Sequence, residues 1–183
     1  MYIMEADYDE QRPCRSRSLA ARSSVTAAIA GFFYAWVCST MWGLDGTDPR
    51  VAVQAMQAMN ASVRNAVFFP AFFLTPVALV LAALAARLAG AGTAALLLGL
   101  AAGTYVAGAF LPTVLVNVPM NEALAQVAVG DDEVAARTTW TAYSPRWQWW
   151  NALRMIASFL AVFLAGMALI VLPTSHTWTR KTA

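Results

Sequence analysis

Four apolar runs dominate the chain, at residues 25–44, 66–88, 93–116 and 149–172. About 20 apolar residues of helix cross a bilayer core, so each run predicts a membrane span. Two long polar connections, 45–65 and 117–144, alternate with a tight turn at 89–92. In the first connection, Asp48 followed by Pro49 reads as a helix cap and first turn. The segment from Val51 to Asn60 continues it as an amphipathic helix at the interface, and Asn60 and Arg64 share its face at i, i+4. In the second connection, Pro119 predicts a short helix flanked by Asn117 and Asn121. Asp131, Asp132 and Glu133 suit the start of another, running through Ala136 to Trp140. Ser144-Pro145 then reads as the cap of the fourth span. The expectation is an all-α integral membrane four-helix bundle with short amphipathic helices in its two outer loops. It divides into a polar tail at 1–24, the four-span domain at 25–172 and a second tail at 173–183.

Glycine and proline refine this picture. Pro70 and Pro76 interrupt the hydrogen-bond ladder of the second span. The bend either serves packing or widens a cavity. Gly99 and Gly103 form a GxxxG spacing in the third span, which favours close helix approach. The contact is expected within the bundle, with a contact between copies of the chain, a homo-oligomer, as the alternative.

Composition agrees with spans. Hydrophobic residues make up 60% and charged residues 12%, with mean hydropathy +0.56. A soluble domain carries about 25% charged residues. A net charge of +2 is too small to suggest nucleic acid. The four acidic residues Glu5, Asp7, Asp9 and Glu10 argue against a cleavable signal peptide. With the N-terminus in the cytoplasm, seven basic residues lie inside: Arg12, Arg15, Arg17, Arg22, Arg87, Arg180 and Lys181. Four lie outside, Arg50, Arg64, Arg137 and Arg146, as the positive-inside tendency requires. The expected location is the inner or plasma membrane, with both termini cytoplasmic and both long connections outside. Lipid is then the surrounding partner.

Polar residues at span ends are costly beside lipid and mark a site. Arg154 lies about two turns inside the fourth span and shares a stripe with Trp147, Asn151 and Ser158. It reads either as a structural arginine or as an anion stabiliser, since a guanidinium offers five donors. Asn60, Asn117, Asn121 and Asn151 either clasp helices or orient a polar substrate. Trp147 and Trp150 belong either to an interfacial aromatic belt or to the walls of a flat pocket. Arg64, Tyr34 and Tyr143 complete the candidates, the tyrosines for proton transfer. No metal is expected. His176 is the one histidine, and Cys14 and Cys38 form no CxxC pair.

Several pieces resemble the anthrone oxygenase-like family of small membrane proteins. They are Ala30-Gly-Phe-Phe-Tyr-Ala, Asp48-Pro with Ala55-Met-Gln-Ala-Met-Asn60, the stretch from Phe110 to Asn117-Val-Pro-Met-Asn121, and Trp147 through Trp150-Asn151-Ala-Leu-Arg154. Members often carry a histidine directly after the Trp-Asn pair, where this chain has Ala152. The resemblance implies four transmembrane helices and, for characterised members, polyketide tailoring: oxidation of an anthrone to an anthraquinone by O₂.

The first functional expectation is therefore a membrane-embedded, cofactor-independent oxygenase acting on a small planar phenolic substrate. Arg154, Asn151, Asn117 and Asn121 would form its catalytic set. Trp147, Trp150, Asn60, Arg64 and Tyr34 would contact the substrate. The alternative is a non-catalytic membrane protein that binds a lipid-like ligand or stabilises a partner membrane protein.

Overall fold

The computed structural model describes residues 25–172. The two tails, with Cys14, His176 and the flanking basic residues, lie outside the described residues. Four helices are long and apolar enough to span a membrane: α1 (Val25–Asp45), α3 (Phe68–Leu88), α4 (Gly92–Ala125) and α5 (Glu133–Val171). The amphipathic helix α2 (Pro49–Ser62) lies between α1 and α3. No strand occurs among the described residues. Large apolar side chains such as Leu74, Leu81, Leu100, Leu115 and Phe163 point outward. Water would not tolerate so many, and lipid does. The molecule is a helical membrane protein.

α2 begins as the sequence predicts. Asp48 accepts from Arg50 N at 2.8 Å, and its other oxygen pairs with the Arg50 guanidinium at 2.6 Å. The side-chain bond to Arg50 holds the Asp48 carboxyl down at about 2. The second connection differs from expectation. α4 and α5 contain 34 and 39 residues, hence lengths of about 51 and 58 Å against a hydrocarbon core of about 30 Å. The segments expected as separate short helices are instead extensions of the spans beyond the membrane. Asp132 caps α5, accepting from Val134 N at 2.9 Å and Ala135 N at 3.1 Å. Ser144 caps nothing, and Pro145 sits inside the helix. The Ser144 hydroxyl is drawn across the bundle to Asp45 Oδ1 at 2.7 Å. Trp140 Nε1 reaches the same oxygen at 2.9 Å, and Gln148 Nε2 reaches Oδ2 at 2.7 Å. One carboxylate at the end of α1 thus binds a stripe of α5 at i, i+4 and i+8.

Three helical turns are wound wide, as π-helix: Trp36–Thr40 in α1, Val106–Phe110 and Thr113–Asn117 in α4. The i→i+5 bonds that define them run from Met41 N to Trp36 O, Leu111 N to Val106 O and Val118 N to Thr113 O. Hydroxyls satisfy carbonyls beside them. Thr40 Oγ1 donates to Ala35 O at 3.2 Å and Thr113 Oγ1 to Ala109 O at 2.8 Å. Pro76 in α3 cannot donate to the Phe72 carbonyl. Tyr105 Oη donates to that carbonyl from α4 at 3.1 Å.

Packing uses small residues, because lipid supplies no hydrophobic drive between helices. Ala157, Ala161, Ala165 and Ala168 of α5 are buried, and a methyl group at Gly108 would overlap Ala157 Cβ. Gly99 and Gly103 do not make the close contact expected of them within the bundle. Both are exposed, with nothing within 4 Å of where a Cβ would lie. Two apolar clusters result. One contains Phe33, Phe72, Leu98 and Tyr105, and the other, toward α2, contains Trp36, Met56, Trp140 and Trp147.

Candidate functional site

Arg154 sits where the two clusters meet and is 4% exposed. Its guanidinium carbon lies 4.6 Å from the Phe33 ring centre and 5.2 Å from that of Trp147. Facing aromatic rings attract a cation and lessen its burial cost. Nη2 donates to Asn151 Oδ1 at 3.1 Å, and Nη1 to Thr113 Oγ1 at 3.3 Å. Asn151 in turn donates from Nδ2 to Phe33 O at 3.1 Å, which locks its oxygen toward Arg154. Among the described residues no carboxylate pairs with Arg154, and its Nε has no partner. Neither guanidinium bond goes to Asn117 or Asn121; on α4 the partner is Thr113, one turn deeper.

A cavity of about 470 Å³ opens beside this group. Its walls are apolar, with Phe32, Phe68, Phe72, Phe110 and Trp36 among them, and Arg154, Thr113 and Asn117 are polar points on its lining. Ligand pockets of about 300–1,000 Å³ with a few placed polar groups are typical. Asn117 is 1% exposed, yet neither its amide nitrogen nor its oxygen finds a partner. Buried polar groups are almost always satisfied, so such an orphan pair at a cavity wall points to a ligand. Asn121 also lines the cavity, with Oδ1 accepting from Tyr143 Oη at 2.8 Å and Trp147 Nε1 at 3.0 Å. Asn60 Nδ2 reaches the same tyrosine oxygen at 3.5 Å. Nearer the surface, Arg64 Nη2 and Glu122 Oε1 stand 3.4 Å apart.

The structure therefore gathers Arg154, Asn117, Asn121, Trp147, Asn60 and Arg64 on one cavity. Asn151 reaches it only through Arg154. Two of the expected residues stand off this cavity. Tyr34 is half-exposed on the outside of α1, edge-on to Phe159. Trp150 packs edge-on against Trp149 away from the cavity. Helix spacing alone would have allowed Trp150, three residues from Trp147 and four from Arg154, but its ring is not on the lining. Thr113, Phe72 and Phe110 were not singled out from sequence, because a threonine or phenylalanine inside an apolar span looks like ordinary span. For the two on α4 the available signal was spacing, four and seven residues before Asn117 on one helix face.

Among the described residues no three His, Cys, Asp or Glu side chains converge as a metal site would need. The anthrone oxygenase family profile matches residues 58–164, covering most of α3, α4 and α5 and the cavity between them. The chain belongs to the anthrone oxygenase family. No curated protein and no solved structure matches it. For an anthrone oxygenase family member, the location of Ala152 is informative. It lines a second hollow with Trp36, Met41, Gln148 and Trp149 and is not on the lining of the Arg154 cavity.

Proposed function

We propose that the protein is a membrane-embedded, cofactor-independent oxygenase that oxidises a planar phenolic, anthrone-like substrate with O₂. One observation carries this reading. An arginine without a carboxylate partner, and an asparagine with no partner at all, face a mostly apolar, aromatic-walled cavity. A flat apolar ring fits the walls. An oxygen that becomes anionic during the reaction fits Arg154 Nε and the Asn117 amide. Such donors, fixed in a dry site, favour charge that develops in the transition state.

The chemistry balances without a further reactant. Loss of a proton from the benzylic carbon gives an enolate whose oxygen lies on Arg154 and Asn117. Glu122, the carboxylate on the cavity lining, is the available proton acceptor. The enolate passes one electron to O₂, and the resulting radical and superoxide combine to a peroxide anion at the benzylic carbon, which takes the proton back from Glu122 to become a hydroperoxide. Loss of water leaves the carbonyl, so one atom of O₂ leaves as water and the other becomes the oxygen of C=O. Asn121 and Asn60 orient phenolic hydroxyls, and Trp147 bounds the ring. The end of the bundle carrying α2 faces outside, in the inner or plasma membrane, with the termini in the cytoplasm.

Purified protein incubated aerobically with an anthrone such as 1,8-dihydroxyanthrone tests the reading. The expected result is quinone formation well above the spontaneous rate, with no stoichiometric iron, copper or haem in the preparation. A rate equal to the spontaneous one for a series of hydroxylated anthrones overturns it and favours a ligand-binding role.

A further inference from the structure

The cavity meets the surface on two sides of different character. Toward α2 its rim is polar, with Arg64 and Glu122 facing each other across it at 3.4 Å. On its flank the lining includes Phe69, Phe73 and Val114, which are also 42%, 45% and 40% exposed. The helices explain this flank. α3 packs closely along Gly92–Tyr105 of α4, touches Val106–Phe110 less, and parts from Thr113–Asn117. The divergence coincides with the two wide turns of α4. Phe73 against Phe110, with ring centres 5.7 Å apart, marks the last contact before the gap. Around the gap, Val67 just before α3 and Leu111 and Leu115 of α4 are exposed and apolar, so lipid borders it. The orphan amide of Asn117 lies behind it.

We infer that the gap between α3 and α4 is a lateral window through which the ligand passes from the bilayer to Arg154. The substrate class follows: a membrane-dissolved, flat, apolar molecule bearing one acidic oxygen edge. A water-dissolved polyanion would have to approach past the polar rim instead. This inference rests on the oxygenase reading for the ligand's chemistry but not for the window itself. O₂, itself apolar, has the same path.

The window is tested by thiol labelling, which needs no turnover. Cys14 and Cys38 are replaced by serine, and Asn117→Cys, or Thr113→Cys as a second reporter, places one thiol in the cavity of the full chain in lipid nanodiscs. The expected result is rapid labelling by N-pyrenylmaleimide and at least about tenfold slower labelling by a charged methanethiosulfonate. Val114→Trp, which fills the window, should slow the pyrene reagent about tenfold. Val63→Trp, at the α2 end of the lining, should leave that rate unchanged. Rapid labelling by the charged reagent, or a pyrene rate indifferent to Val114→Trp and slowed by Val63→Trp, overturns the window. Labelling as expected from a protein that oxidises no anthrone would leave the window standing and remove only the oxygenase reading.

Discussion

At the scale of single residues, Arg154 and Asn117 behave differently although both are buried. Arg154 is held by Asn151 and Thr113 and covered by two rings. Losing it leaves Thr113 and the Asn151 oxygen without their donor, and each buried group so orphaned costs about 1–3 kcal/mol. Arg154→Met should therefore lower the thermal unfolding temperature. Arg154→Lys should keep more of the stability yet reduce anthrone turnover at least about tenfold, because an ammonium cannot reproduce the guanidinium fork. Equal turnover in the lysine variant would show that only charge matters. Asn117 already lacks partners, so Asn117→Leu removes an unsatisfied amide at similar volume. The expected outcome is unchanged or higher thermal stability together with lost turnover. A clear fall in stability would contradict the orphan amide. The stripe of Trp147, Asn151, Arg154 and Ser158 was legible from sequence because a regular helix repeats every 3.6 residues. Asn151 as a partner of Arg154 follows from that stripe, but Thr113 was not legible, since it depends on the opposing helix.

At the scale of elements, the wide turns were not legible either. Each π turn inserts about one extra residue, which rotates the following face by about 100°. Two of them lie in α4, within the stretch whose face Phe110, Thr113, Val114 and Asn117, at i, i+3, i+4 and i+7, lines the cavity. Ordinary helical spacing in the sequence does not show them, as their i→i+5 bonds depend on tertiary neighbours. The helix starts with a proline at the second position divide in the same way. Asp48-Pro49 was readable because its cap is local, whereas Ser144-Pro145 misled because Asp45, 99 residues away, claims the hydroxyl. The Pro76 site gives the prediction at this scale. Tyr105→Phe leaves the Phe72 carbonyl without a donor next to a proline that provides none. Thermal or denaturant unfolding should show a loss of about 1–3 kcal/mol. No change would mean that the carbonyl finds another donor. Anthrone binding should persist, since Tyr105 is not on the cavity lining.

At the scale of the whole molecule, four spans were legible from hydrophobic runs alone, because a bilayer demands length and apolarity whatever the packing. The 51 and 58 Å lengths of α4 and α5 were not, because polar and apolar residues mix in their projecting parts. Orientation is tested by single cysteines with a membrane-impermeant thiol reagent on intact cells. Positions Thr47 and Asp131 should label and Gly90 should not, and the reverse pattern would place the α2 end in the cytoplasm. The ties between α1 and α5 have a consequence for biosynthesis. Phe33 O is bonded to Asn151, and Asp45 to Trp140, Ser144 and Gln148. The ribosome makes α1 first and α5 last, so these partners meet only when the final helix has left the translocation machinery. Until then three helices wait in the membrane with Asp45 unbound and no wall bearing Arg154. The site therefore comes into being in one closing step, and a nascent chain short of α5 has neither its pocket nor its charge.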